Sequence, residues 1–279
     1  MVFTYQVLLF RSKHKVFITM RFIFLIVSLF SSAVVANCNG HWEDVKKIQL
    51  TGTHVVQKKA FFYSAPFNKY KYADLFLIKG DRFHSYLESN GYIFGRYIRK
   101  NGTVVNGWLK AEALVDTSSK FPYFPLELSE NDFVIVSPYK NIELGGSYER
   151  FYKAWGKCEI NKQPDIGISG NFITSGVQVY KYFDHHWGGF SIRSSNINFN
   201  NDGEDFDTYR VTTVTVNNDK YMTSRGIAVG DTIESVISAY GQPLKMDKTQ
   251  VSYKFKRNSL LFNIKSNVVD NIVMDEQFE

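Results

Sequence analysis

The feature that most restricts the fold of this chain is a segment written twice. Residues 142–156 read IELGGSYERFYKAWG and residues 227–241 read IAVGDTIESVISAYG. Both copies set an Ile, a Gly, a Ser or Thr (Ser147, Thr232), a Glu (Glu149, Glu234), an aromatic (Trp155, Tyr240) and a closing Gly at matched positions. The large apolar residues of each copy fall at helical spacing: Tyr148, Phe151, Tyr152 and Trp155, then Ile233, Val236, Ile237 and Tyr240. Side chains at i, i+3, i+4 and i+7 share one stripe of a helix, so each copy predicts a short amphipathic helix. Asp231 is the expected N-cap of the second, with Glu234 three residues on. Gly146 stands in its place in the first copy, where Ser147 is the expected cap. Gly156 and Gly241 are expected to stop the helices, because glycine takes left-handed backbone without steric cost.

Strand-like sequence follows each helix. Val251, Tyr253 and Phe255 alternate, then come residues 260–264 and 268–274; the first copy continues with 177–183, Phe190 and Ile192, and 211–216. Tyr180-Lys181-Tyr182 aligns with Tyr253-Lys254-Phe255, and Phe190-Ser191-Ile192 with Phe262-Asn263-Ile264. Each copy therefore predicts one helix laid on a small antiparallel sheet, and since one such unit buries little, two side by side are expected. Residues 145–156 and 230–241 resemble the Gly-x-Ser/Thr…Gly helix signature of the β-lactamase-inhibitor-like fold. That fold is shared by small outer-membrane assembly lipoproteins, and secreted inhibitors carry it as a tandem pair. The resemblance covers residues 131–279. It departs from the family where Gly146 and Asp231 replace the usual Met, and no clear second helix is visible in either copy. It implies a fold, and an inhibitor of a hydrolase as the functional expectation.

Residues 58–116 have a different texture. Short apolar runs (60–63, 75–78, 83–87, 93–98, 107–109) are separated by turns, with Asn101-Gly102 a strong hairpin signal. Tyr63-Ser64-Ala65-Pro66, Ile78-Lys79-Gly80-Asp81, and Gly107-Trp108-Leu109 followed by Ala113-Leu114 are similar to the first strand, the Lys-Gly-Asp turn and the closing strand of bacterial SH3-like modules. Such modules often bind peptides or cell-wall peptidoglycan. Trp108 reads first as a packing residue. Residues 67–72 mix aromatics with cations and read either as a contact surface or as a solvated loop. Residues 117–130, with Pro122 and Pro125, read as a linker whose aromatics Phe121, Tyr123 and Phe124 dock it, so the two halves are expected to touch. The expected fold class is α+β: an N-terminal SH3-like β-barrel (58–116) after an N-terminal arm (37–57), then two tandem helix-on-antiparallel-sheet units (131–216 and 217–279).

The first 36 residues bear on compartment. Met20-Arg21, an uncharged apolar run over 22–30 and a small-residue stretch ending at Ala36 read as a secretory signal, with Met20 the expected working start. The run is short for a membrane span, so a periplasmic or secreted protein without stable membrane insertion after cleavage is expected. The chain has 33 Lys/Arg and 27 Asp/Glu, but four of the cations and none of the acids precede residue 37, so the remainder is nearly neutral and nucleic acid is not an expected partner. The two cysteines, Cys38 and Cys158, read as one disulfide in an exported chain; lipidation of Cys38 is the competing reading, and Val35-Ala36-Asn37 fits it badly.

Where the copies differ, function is sought. The first copy is longer between Gly156 and Tyr180 and between Ile192 and Val211. The second insertion carries Asp202, Glu204, Asp205 and Asp207 around Gly203: an acidic turn, an anionic contact for a basic partner, or a calcium loop lacking the bidentate Glu where Tyr209 stands. Asp184-His185-His186-Trp187 is the other cluster; adjacent histidines on a strand point apart and rarely chelate one metal. No catalytic motif is present, so no enzyme, cofactor or metal is expected. The expectation is an exported binding protein that recognises or inhibits a protein partner such as a cell-wall-active hydrolase or toxin. Its candidate contacts are Tyr70, Tyr72, Tyr92, Tyr97, His186, Trp187, Asp202, Glu204 and Asp205, because aromatics dominate binding hot spots. The alternative is a peptidoglycan-binding module acting through residues 58–116.

Overall fold

The described residues are mostly antiparallel β-sheet with two short α-helices. The computed structural model describes residues 46–120, 124–160, 163–173 and 176–278. The expected signal and Cys38 lie outside the described residues; Cys158 is disulfide-bonded.

Seven strands form the first sheet: β1 (Ile48–Val56), β2 (Ala60–Tyr63), β3 (Lys71–Leu77), β4 (Arg82–Ser89), β5 (Tyr92–Ile98), β6 (Val104–Lys110) and β7 (Leu114–Asp116), in the order β3-β2-β6-β5-β4-β1-β7. The Asn101-Gly102 turn joins β5 to β6 as its sequence predicts: Gly102 takes φ 81° and Ile98 pairs with Val104. β1 falls in the stretch read as an N-terminal arm, yet it pairs with both β4 and β7. Its buried polar residues Thr53 and His54, beside Gly52, erase the alternation by which a strand is recognised. One face of this sheet buries its own core around Phe62, Phe83, Ile93 and Leu109.

The second half comprises β8 (Val134–Val136), β9 (Ile142–Glu143), α1 (Tyr148–Trp155), β10 (Asp165–Ile173), β11 (Gly176–Trp187), β12 (Phe190–Ser195), β13 (Arg210–Val216), β14 (Met222–Thr223), α2 (Ile233–Tyr240), β15 (Lys245–Met246), β16 (Gln250–Phe255), β17 (Asn258–Lys265) and β18 (Val268–Glu276). Eight of these strands make one sheet, β10-β11-β12-β13-β18-β17-β16-β15, and β14-β8-β9 make a small third one. Cross-strand pairing carries one apolar row from Trp187 through Phe190, Val216, Ile272 and Phe262 to Val251. Helix α1 presses Phe151 and Trp155 against Trp187 and Phe190, at ring distances of 5.2 and 5.0 Å. Helix α2 presses Tyr240 against Tyr253 and Phe262, at 5.2 and 5.6 Å. Phe151 and Val236 are both buried in this one apolar cluster.

The entries to the helices repeat bond for bond. The Gly145 N–H donates to the Val211 carbonyl and the Val211 N–H to the Gly146 carbonyl, at 2.7 and 2.8 Å; Gly230, Val269 and Asp231 make the same pair of bonds, both at 2.8 Å. Gly145 and Gly230 sit at φ 76° and 91°, which explains why the copies share a glycine there. Several details differ from expectation. The second N-cap is Thr232, whose Oγ1 accepts from the Ser235 N–H, while the Asp231 carboxylate accepts from the Ala228 N–H. Gly156 does not stop α1 in a left-handed conformation; it is helical and continues into a 3₁₀ turn, Gly156–Cys158. The alignment of Tyr180-Lys181-Tyr182 with Tyr253-Lys254-Phe255 is one residue out of phase. In β11 the odd positions His185 and Trp187 face the core, whereas Tyr182 lies outside beneath Arg193.

The described residues form one compact unit, and the two halves meet in two ways. Tyr63, Tyr86, Leu87, Tyr92, Phe94 and Trp108 of the first sheet pack with Val136, Met222 and Ala228. Trp108 is thus a core residue. Beside them Arg96 (β5), Asp132 and Arg225 form a buried cluster. Phe124 does not dock the connector: it is 75% exposed, and the connector is held instead by its Leu126 and Glu127 carbonyls on Arg225, at 2.8 and 3.1 Å.

Candidate functional site

The β2–β3 face brings exposed aromatic side chains and lysines together on one surface. Phe61 and Phe76 are cross-strand partners with rings 5.7 Å apart. The Lys59 Nζ lies 3.9 Å from the Phe76 ring centroid and the Lys71 Nζ 3.5 Å from that of Phe61. Ammonium groups over ring faces gain from the ring quadrupole, and these two form no ion pair with any described residue. Tyr72, Phe76 and Ile78 on the same strand run are 45%, 40% and 59% exposed.

Tyr72 also borders a cleft of about 340 Å³ between the first sheet and the β8–β9 connection, lined in part by Ser64, Asn106, Ser137, Tyr139 and Asn141. Its far wall is rigid. Ser137 Oγ donates to the Lys140 carbonyl at 2.8 Å and accepts from the N–H groups of Tyr139 and Lys140. The Tyr139 hydroxyl donates to the Ala154 carbonyl at 3.1 Å, with its ring edge-on to Trp155.

The nine residues singled out from sequence do not converge. Tyr70 ends a 3₁₀ turn and Tyr72 opens β3, so only this pair reaches the surface just described. Tyr92 is buried, with its hydroxyl donating to Asn68 Oδ1 and its ring against Tyr63. Tyr97 is half-buried and donates to Asp81 Oδ1 at 3.3 Å. Trp187 is 5% exposed, stacked on Phe190, with its indole N–H donating to the Trp155 carbonyl at 3.0 Å; it is a core residue and not a contact anchor. His186 is exposed, 3.8 Å from Asp165, while His185 points inward, as alternation requires. Asp202 and Glu204 are not offered to a partner. Asp202 accepts a bidentate pair from Arg257 at 2.7 and 2.8 Å and a contact from Arg210 at 2.6 Å; Glu204 lies 3.4 Å from Arg210. Asp205 and Asp207 of the acidic turn are exposed and form no ion pair among the described residues.

Two buried constellations escaped the sequence reading. In the first, Asp132 Oδ1 accepts from Arg96 Nη2 (2.9 Å) and Arg225 Nε (2.7 Å), and Oδ2 from Arg225 Nη2 (2.9 Å) and the Ser129 N–H (2.9 Å). Burial pushes the Asp132 carboxyl up, but the hydrogen bond from Arg225 and the charges of Arg96 and Arg225 outweigh it and hold it below its ordinary value. Arg225 also lies over the Tyr240 ring and donates to the Ala239 carbonyl, tying α2 to the connector. In the second, Ser194 Oγ lies 3.1 Å from His185 Nε2, and His185 Nδ1 lies 2.8 Å from Glu159 Oε1 and 3.3 Å from the Tyr148 hydroxyl. The spacing is that of a nucleophile, base and orienting acid. Ser194 has no exposed surface, and the chain of bonds fastens the segment after α1 to β11 and β12. Burial raises the Tyr148 hydroxyl well above its ordinary range. Residues 9 to 37 positions apart carry these contacts, and no local pattern marks them.

Compared with known protein families, with curated proteins and with solved structures, the chain matches none. Among the described residues no helix is long and apolar enough to cross a membrane.

Proposed function

We propose that this is an exported binding protein of the cell envelope that recognises another protein and performs no chemistry of its own. The observation that carries this reading is the β2–β3 face, where Phe76 and Tyr72 lie open and half-buried Phe61 supports them, beside two lysines that form no ion pair with a described carboxylate. Rigid aromatics next to cations supply contact area at low entropic cost and are the commonest anchors of protein interfaces. The Ser194–His185–Glu159 chain argues for binding over hydrolysis, since a nucleophile without exposed surface meets no substrate. The front sheet is read as an SH3-like module. The rest is read as a tandem inhibitor-like pair of helix-on-sheet units, here joined edge to edge through β13 and β18; the matched bonds at Gly145 and Gly230 support the duplication.

The test is photo-crosslinking from position 76 in the exported chain. A protein adduct formed from that position, and not from exposed Leu244, is the expected result. Absence of any protein adduct sinks the reading. A second reading, binding of cell-wall glycan, is favoured by the cleft beside Tyr72, whose hydroxyl and amide groups suit a sugar. Co-sedimentation with insoluble cell wall that is lost in Tyr72→Ala would bring it forward.

A further inference from the structure

The edge of the first sheet is unequally protected. Outer strands are templates for pairing with another chain, and proteins normally shorten, charge or cover them. β7, at one end of the first sheet, has three residues; of the outer strands of the eight-stranded sheet, β15 has two and β10 has nine. β3 has seven, and its only sheet neighbour is β2. Its register shifts between Phe61 and Tyr63; residues 71–74 are exposed, and Phe76 and Ile78 remain open beyond the shift. Lys59 and Lys71 lie over the rings of Phe76 and Phe61 and form no ion pair with a carboxylate of the described chain, and they outnumber the one exposed carboxylate of β3, Asp74.

We propose that β3 receives an extended, acidic segment of a partner protein as an added strand. The main chain of the segment continues the hydrogen-bond ladder of the sheet, its carboxylates meet Lys59 and Lys71, and its apolar side chains cover Phe76 and Tyr72. Strand addition draws affinity from backbone bonds and specificity from alternate side chains, and this edge offers both. Charge complementarity selects an acidic segment over a basic one. The inference rests on the protein-recognition reading above and adds the kind of segment that is recognised.

The test uses the full mature chain and a synthetic peptide alternating Glu with Val and Tyr, read by amide hydrogen exchange. The peptide is expected to slow exchange at residues 71–77. N-methylation of alternate peptide amides is expected to abolish that protection, because the ladder donors are gone. The surface substitutions Lys59→Glu and Lys71→Glu, which leave the core untouched, are expected to weaken binding at least about tenfold and to admit the Lys-for-Glu peptide instead. Three outcomes overturn the proposal: no protection at β3; an oligothymidine that displaces the peptide, pointing to nucleic acid; or β3 protected without peptide in a chain that sediments as a dimer, pointing to a second copy. If crosslinking from position 76 still captures a protein while the peptide leaves β3 unprotected, strand addition fails and protein recognition stands.

Discussion

Two arginine–carboxylate clusters in this molecule use the same chemistry with opposite consequences. In the Arg96–Asp132–Arg225 cluster every side chain is at most 2% exposed, and the single carboxylate answers two guanidinium groups. In the other, Arg210 and Arg257 share Asp202, Glu204 and Glu276, and all but Glu276 retain contact with solvent. Removing one member of a buried cluster strands a charge where water cannot reach it, whereas removing one from a wet cluster lets water and the remaining partners substitute. The first cluster also satisfies the carbonyls of Leu126, Glu127 and Ala239 through Arg225, so it joins connector, front sheet and α2 at one point. Within the acidic turn, Asp202 and Glu204 fold back on the chain's own arginines, while Asp205 and Asp207 face solvent.

The largest test of this contrast is Asp132→Asn, which leaves two guanidinium ions buried against a neutral amide. It is expected to cost about 3–5 kcal/mol in urea unfolding. A loss below about 1 kcal/mol would mean that the junction does not depend on the cluster.

The next effect is on pH. His54 and His84 are both held below the ordinary histidine value, in each case by burial first; for His84 the charges of Arg96, Arg225 and Arg82 add to it. The unfolded chain therefore takes up protons before the folded one as pH falls below about 6.5, and stability declines from there. Asp132, held low, keeps its contribution until the pH falls through the carboxylate range, so its loss comes as a second, more acidic step. Chemical denaturation across pH checks both, and His54→Gln with His84→Gln is expected to flatten the first step alone.

On the wet side, Arg257→Ala is expected to cost no more than about 1 kcal/mol, because Arg210 still reaches Asp202 and Glu276. The smallest effect belongs to Lys256→Ala, whose bond to Glu130 at 2.7 Å joins two largely exposed side chains. Thermal unfolding is expected to move by less than about 0.5 kcal/mol.

Much of the second half is legible in sequence because its signals are local. The stripe of Tyr148, Phe151 and Trp155, and that of Ile233, Val236 and Tyr240, became α1 and α2. Ser147 serves as the first cap, accepting from the Arg150 N–H. The strand phase was misread at Tyr182 because Tyr, Lys and Tyr alternate as plausibly outward as inward, and only the hairpin turn between Trp187 and Phe190 sets which residues face α1. β1 was missed because its inner positions hold Thr53 and His54, which the fold buries with partners such as Ser85. Binding candidates chosen for aromatic character divided by burial: Tyr72 stayed outside, while Tyr92 and Trp187 went into cores.

The sequence by itself determined the pieces: the repeated amphipathic helix, the alternating strands and the Asn101-Gly102 hairpin. Each depends on residues a few positions apart, whose relative placement the backbone geometry dictates. The tertiary structure alone decided which charges meet and which edges stay open. Arg225 finds Asp132 across 93 positions and Arg96 finds Ser224 across 128, distances over which periodicity carries no information. The exposure of β3 likewise follows from strand order, a property of the assembled sheet and not of the strand's own residues.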